Sequence, residues 1–261
     1  MAEVIGTAMT PALKRITRWH SGYLRSITGT MMKSLRHISE VTALLQLASP
    51  ALPIGAFSYS HGLESAVDAG FVTDANSAEA WISDGLQQVI GRCEAPLVSL
   101  MYDLWEKEDL AGLSRWNRWF LASRESSELR RETEQMGWSL AQLVPSLGRS
   151  RSARREAILS IKPLALPVAY AGVATLLDLS KEPCIASYLF AWLENQVAAA
   201  VKAVPIGQLA GQKIVTSLRN VIPDVVSAAL QTLPERFSTF APQLAILSAR
   251  HETQYSRLFR S

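Results

Sequence analysis

Apolar residues recur at helical spacing along most of this chain. A first apolar helix reads over residues 41–48. From Ser77, placed as an N-cap, Trp81, Ile82, Leu86, Val89, Ile90 and Cys93 repeat three and four apart. A new helix is expected after Pro96, with Leu97, Leu100, Met101, Leu104 and Trp105 on its apolar face and the acidic residues 106–109 closing it. Leu113, Trp116 and Phe120 open the next. Residues 124–144 alternate charges along one face and set Leu129, Met136, Leu140 and Leu143 or Val144 on the other, so Arg124, Arg130 and Arg131 read as solvated. The short basic, serine-rich stretch 148–155 reads as a linker between two helical halves. Beyond it come a small-residue helix over 165–177 and a longer one after Pro183, striped by Ile185, Leu189, Trp192, Leu193 and Val197. A further helix follows Pro205. Short connections make neighbours antiparallel, which predicts an all-α fold, a single globular bundle of roughly ten helices.

Residues 53–64, PIGAFSYSHGLE, break this periodicity. Pro53 lacks an amide hydrogen and Gly55 tolerates a positive φ, so the helix before them must stop. Phe57 and Tyr59 bring large rings to this corner, and its serines can cap the helix that carries Leu63, Ala66 and Val67 and ends at Gly70.

Composition narrows the function. The chain has 261 residues, enough for a substantial core. A net charge of +3 does not describe a nucleic-acid-binding body. Charged residues make up 19% against about 25% in typical domains, and the apolar fraction is 48%. That balance leaves apolar surface, which suits a protein that assembles with others. Cys93 and Cys184, far apart in helical patterns, read as core thiols in a reducing compartment. The longest uncharged apolar run, 163–177, is shorter than the roughly 20 residues of a spanning helix. No signal-peptide pattern is read, and a cytoplasmic location is expected.

Residues 1–39 form a basic extension with Lys14, Arg15, Arg18, Arg25, Lys33 and Arg36 against Glu3 alone. It reads as a disordered tail or the product of an early start, Met31 and Met32 lying just before the helical pattern. Residues 40–240 read as the helical domain and 241–261 as a C-terminal segment. This last stretch joins Arg250, His251, Glu252, Tyr255, Arg257, Leu258 and Phe259, aromatics and arginines of the kind enriched at binding hot spots, the alternative reading being a final amphipathic helix docked on the chain's own core.

Catalytic patterns fail in detail. Ser58 and Ser60 lack the flanking glycines of a nucleophile elbow, and the neighbours Ser60 and His61 point apart. In the stretch 207–213, GQLAGQK, the glycines stand too close for a phosphate loop, Gln212 precedes Lys213, and Ile214 replaces the hydroxyl. His20, His37, His61 and His251 have no second ligand at metal-binding spacing.

Three stretches resemble one family. LLQLASPALPIGAFSYSHGLE (44–64), VKAVPIGQLAGQK (201–213) and SARHETQYSRLF (248–259) are similar, in order and spacing, to the motifs of the urease accessory protein UreF. The resemblance implies an all-helical, cytoplasmic, non-catalytic homodimer that binds no cofactor itself. Nickel is then the cargo of a complex with UreD (also called UreH), the GTPase UreG and apo-urease. It further implies that Arg250, His251, Glu252, Tyr255, Arg257, Leu258 and Phe259 meet a partner, with Phe57, Tyr59, Glu64, Lys202, Gln208 and Gln212, and that Pro205 matters to the motif. The alternative expectation is a helical interaction module of another pathway whose basic arm binds nucleic acid or membrane.

Overall fold

A computed structural model describes residues 31, 33–147 and 153–261. Among them every regular element is helical. The chain divides into two compact units at Thr42 and Ala43. In the first unit, residues 33–42 are helical and the Thr42 hydroxyl donates back to the Ile38 carbonyl at 3.0 Å. The helix, α1, runs over residues 33–48. Most of the extension expected over residues 1–39 lies outside the described residues.

The second unit contains α2 (Leu63–Asp68), α3 (Ala75–Asp84), a π-helical segment (Gly85–Glu94), α4 (Ala95–Glu106), α5 (Leu110–Ala122) and α6 (Ser127–Leu147). It continues with α7 (Ala153–Ser160), α8 (Leu166–Leu176), α9 (Lys181–Ala203), α10 (Gln208–Leu218), α11 (Ile222–Gln231) and α12 (Pro242–His251). The all-α bundle is as the periodicity predicts.

Two boundaries differ from expectation. Asp74, not Ser77, caps α3: its carboxylate accepts from the Ser77 amide at 2.8 Å. The Ser77 hydroxyl in turn accepts from the Asp74 amide at 3.0 Å, which makes a reciprocal capping box. The chain also does not turn before Pro96. Asp84, Glu94 and Ala95 all keep right-handed helical backbone, so α3, the π segment and α4 form one continuous rod. Pro96 follows directly on the wide π turns, at the first turn of α4, where a missing N–H is tolerated. The widening also turns Cys93 and Glu94 into the interior, where both are buried.

Helix α8 is the axis of the core. Every residue from Pro167 to Thr175 is buried, and a helix that is apolar all round must be covered on all sides. It packs against α4 and α6. Glycines permit the closest approaches: a Cβ on Gly172 would lie 2.9 Å from the Trp105 ring, and one on Gly137 would collide with the Leu164 and Ala165 backbone. Trp105 donates through Nε1 to the Val168 carbonyl at 2.9 Å, and Asn117 bridges the Pro163 carbonyl and the Ala165 amide at 2.8 and 2.9 Å. Asn117 thus satisfies two backbone groups just before the helix begins.

Residues 148–152 of the expected linker lie outside the described residues. Its last three, Ala153, Arg154 and Arg155, form the first turn of α7. The two halves it was expected to separate share one hydrophobic core, which runs from Leu47 to Phe259.

Candidate functional site

The corner before α2 is a tight reversal. Gly55 and Gly62 sit at φ 83° and 79°, and His61 between them at 54°, a left-handed value seldom taken by a residue with a Cβ. The N-cap of α2 is Gly62 rather than a serine, and the Ser60 hydroxyl, two residues earlier, accepts from the Glu64 amide at 3.2 Å. This geometry aims Glu64 and His61 inward, and both are buried.

The C-terminal residues lie against that corner. Glu64 Oε1 and Oε2 accept from the Leu258 and Phe259 amides at 2.6 and 2.9 Å, and Glu64 Oε2 also faces His251 Nε2 at 3.2 Å. The other nitrogen of His251 meets Glu128 Oε2 at 2.6 Å. The second oxygen of Glu128 accepts from Arg257 at 2.6 Å. One fully buried imidazole therefore ties α2 to the start of α6, and each carboxylate it meets also holds the tail.

Further along, the Arg260 amide donates to the Ser58 carbonyl at 2.8 Å and the Ser60 amide to the Ser261 carbonyl at 2.8 Å. The Ser60 hydroxyl makes a second, short bond to the same carbonyl. The Ser261 hydroxyl donates to Glu132 Oε2 at 2.5 Å. Glu252 accepts from the Ser127 amide and hydroxyl at 2.8 and 2.7 Å, capping α6. Those hydrogen bonds hold its carboxyl below the ordinary glutamate range.

A second polar chain lies deeper. Arg124, expected on a solvated face, is buried: it pairs with Glu94 at 3.1 Å and lies over the Phe120 ring at 4.0 Å. Burial works against its charge, but Glu94 and Glu125 more than offset it and its pKa is raised. Helical periodicity could not reveal this, because Arg124 sits before α6 begins rather than on its outer face. Arg130 and Arg131 are exposed as expected. Tyr188 donates a short hydrogen bond to Glu94. Burial pushes the Cys93 and Cys184 thiols up to about 12, which makes both inert.

His61, Glu94, Arg124 and Glu132 line a cavity of about 140 Å³ with the apolar residues Leu52 and Ile54. His61 Nδ1 lies 3.5 Å from Glu132 Oε1, an ionic contact without hydrogen-bond geometry, and its ring meets Trp192 edge-on at 6.0 Å. Burial, the largest single influence, lowers the His61 pKa, yet Glu132 and then Glu94 together outweigh it, and the net shift is upward from 6.5. Below about pH 6.5 the imidazole is charged in folded and unfolded chain alike and the His61–Glu132 contribution is full. It is lost as pH rises through the elevated folded value. Unfolding free energy measured in urea across this range should fall with rising pH in the wild type, and His61→Gln should remove that part of the slope.

The tail brings together seven of the thirteen residues singled out in the sequence. Glu64, His251, Glu252, Arg257, Leu258 and Phe259 are joined as described, and Lys202 lies over the Phe259 ring at 5.6 Å. Tyr59 is buried beside them, its phenol raised in pKa chiefly by burial and next by Glu132, with Arg260 acting in the opposite direction. Phe57, Arg250, Tyr255 and the Leu258 side chain face outward. Gln208 and Gln212 are exposed on α10 and share no hydrogen bond with the tail. Glu128 and Glu132, both central, were hidden in a charge run, and the only signal was their placement near the start of α6. Among the described residues no group of three or more His, Cys, Asp or Glu is arranged to hold a metal ion, and no helix is long and apolar enough to cross a membrane.

The family model for UreF matches residues 72–219, from just before α3 through α10, and leaves the corner and the tail outside its span. With more than half of its length matched, and a helical bundle built around that span, this chain belongs to the UreF family of urease accessory proteins.

Proposed function

We propose that the protein is a non-catalytic adaptor of nickel insertion, working in the cytoplasm as a homodimer with UreD (UreH), UreG and apo-urease. The carrying observation is the tail. Its backbone and Arg257 are locked inward by Glu64 and Glu128, while Tyr255 and the Leu258 side chain stand in solvent, Tyr255 fully so. A segment anchored on two buried carboxylates yet displaying large apolar groups is preorganised for a partner. The adaptor positions the GTPase and favours one nucleotide state by contacting the two states differently, which couples GTP hydrolysis to nickel release. Nickel is cargo, carried to urease by the complex.

The test is co-expression of the urease cluster with wild type, with Arg257→Ala, and with residues 249–261 removed. Wild type should fill urease with nickel. Truncation should abolish nickel loading and release an accessory partner while helicity by circular dichroism persists. Arg257→Ala should lower urease activity, since it removes one side-chain anchor of the segment while Glu128 stays paired with His251. Full maturation by the truncated protein would refute the tail's role, and none by the wild type with its cognate partners would refute the adaptor.

A further inference from the structure

The outer face of α6 and the docked tail enclose a groove of about 800 Å³. One wall is a helix face: Glu128, Arg131, Gln135, Trp138 and Gln142 follow at spacings of three and four. From the first to the last of these the helix rises roughly 21 Å at 1.5 Å per residue. The floor is apolar, with Ile158, Leu164 and Phe259. Lys162, between α7 and α8, and Arg260, in the tail, also line it.

The charge is one-sided. Glu128 is engaged by Arg257 and His251, and Glu134 by Arg130 at 2.8 Å. Arg131, Lys162 and Arg260 line the same groove, and among the described residues none of them has a carboxylate within ion-pair distance. Trp138 is 54% exposed between them, a large apolar side chain held at a solvent boundary without cover. A compact anion would use one end of such a channel. A strand of about six residues, at roughly 3.3 Å each, would fill its length.

We infer that this groove binds an extended acidic segment of a protein partner, with its carboxylates on Arg131, Lys162 and Arg260 and an intervening apolar side chain on Trp138. The inference rests on the adaptor reading and gives one of its contacts a chemistry. It also assigns work to Arg131, Trp138 and Lys162, which lie outside the tail and outside the motifs.

The experiment uses the full chain and a fluorescein-labelled hexapeptide alternating aspartate or glutamate with leucine, followed by anisotropy. Wild type should bind it, with affinity falling as salt is raised from about 50 to about 300 mM, the range over which exposed charges become screened. The Arg131→Glu/Lys162→Glu double variant should bind at least about tenfold more weakly, as expected for reversing complementary charge. Trp138→Ala should weaken binding severalfold at every salt concentration. The same double variant, co-expressed with the urease cluster, should retain less of one accessory partner. Unchanged peptide affinity in the double variant, or equal binding of the lysine-for-acid peptide, overturns the inference. Displacement of the peptide by ATP at far lower concentration than by unlabelled peptide also overturns it, in favour of a small-anion site. Failure of wild type to mature urease while the peptide results hold would remove the adaptor reading and leave the groove's specificity standing.

Discussion

Replacing Glu64 with alanine should release the tail and lower stability by about 3 kcal/mol, the scale for removing one partner from a buried charged pair. Three groups lose their acceptor together: the Leu258 amide, the Phe259 amide and His251 Nε2. Each would be costly if it remained dry, so the chain's cheaper response is to let residues 251–261 lift into water. The loss is therefore capped by the docking free energy of the tail, and the helical core should survive. Hydrogen exchange at the Leu258 and Phe259 amides should rise to nearly unprotected rates, while amides of α8 stay protected. Glu64→Gln, which keeps one carbonyl acceptor, should fall between. In a protein ending at Ser248 the same Glu64→Ala change should be close to neutral, because every group it serves is gone; an undiminished loss there would show that Glu64 acts within the core instead.

Gly137→Ala should be more damaging. The added methyl would meet backbone, with the Ala165 carbonyl carbon at 2.8 Å and that of Leu164 at 2.9 Å, and backbone cannot rotate aside as a side chain can. Helix α6 would have to move off the start of α8, disturbing the junction where Asn117 and Thr133 hydrogen-bond the amides of Ala165 and Leu166. A loss of about 3 kcal/mol or more is expected, at the upper end for overpacking, which in a protein with little stability to spare should appear as insoluble expression. Gly207→Ala is the matched control, since nothing lies within 4 Å of its added methyl and its φ is ordinary. Thermal melts of the two variants should differ widely; similar melting temperatures would mean that the α6–α8 contact is not the tight point described here.

The two experiments probe different layers of one design. Gly137 serves the scaffold and Glu64 the segment mounted on it. A variant that loses the tail but keeps the scaffold separates accessory function from folding, which no core substitution can do.

Helical periodicity, the corner at residues 53–64 and the buried apolar faces were legible in the chain itself, because spacing of three and four and the backbone limits of proline and glycine are local properties. The motifs also carried the family, whose match spans α3 through α10. The continuous rod through Pro96 was not legible, because proline reads as a break unless a neighbouring turn widens to admit it. Arg124 read as solvated for a related reason: a charge's environment depends on the partner opposite, and Glu94 is 30 residues away. His251 shows the same limit most fully. In sequence it is a lone histidine, and only folding sets it between Glu64 and Glu128, 187 and 123 residues distant. Local chemistry thus determined which segments form helices and where they stop, while tertiary structure decided which charges are buried, because burial requires compensation from groups that the chain brings together only when it folds.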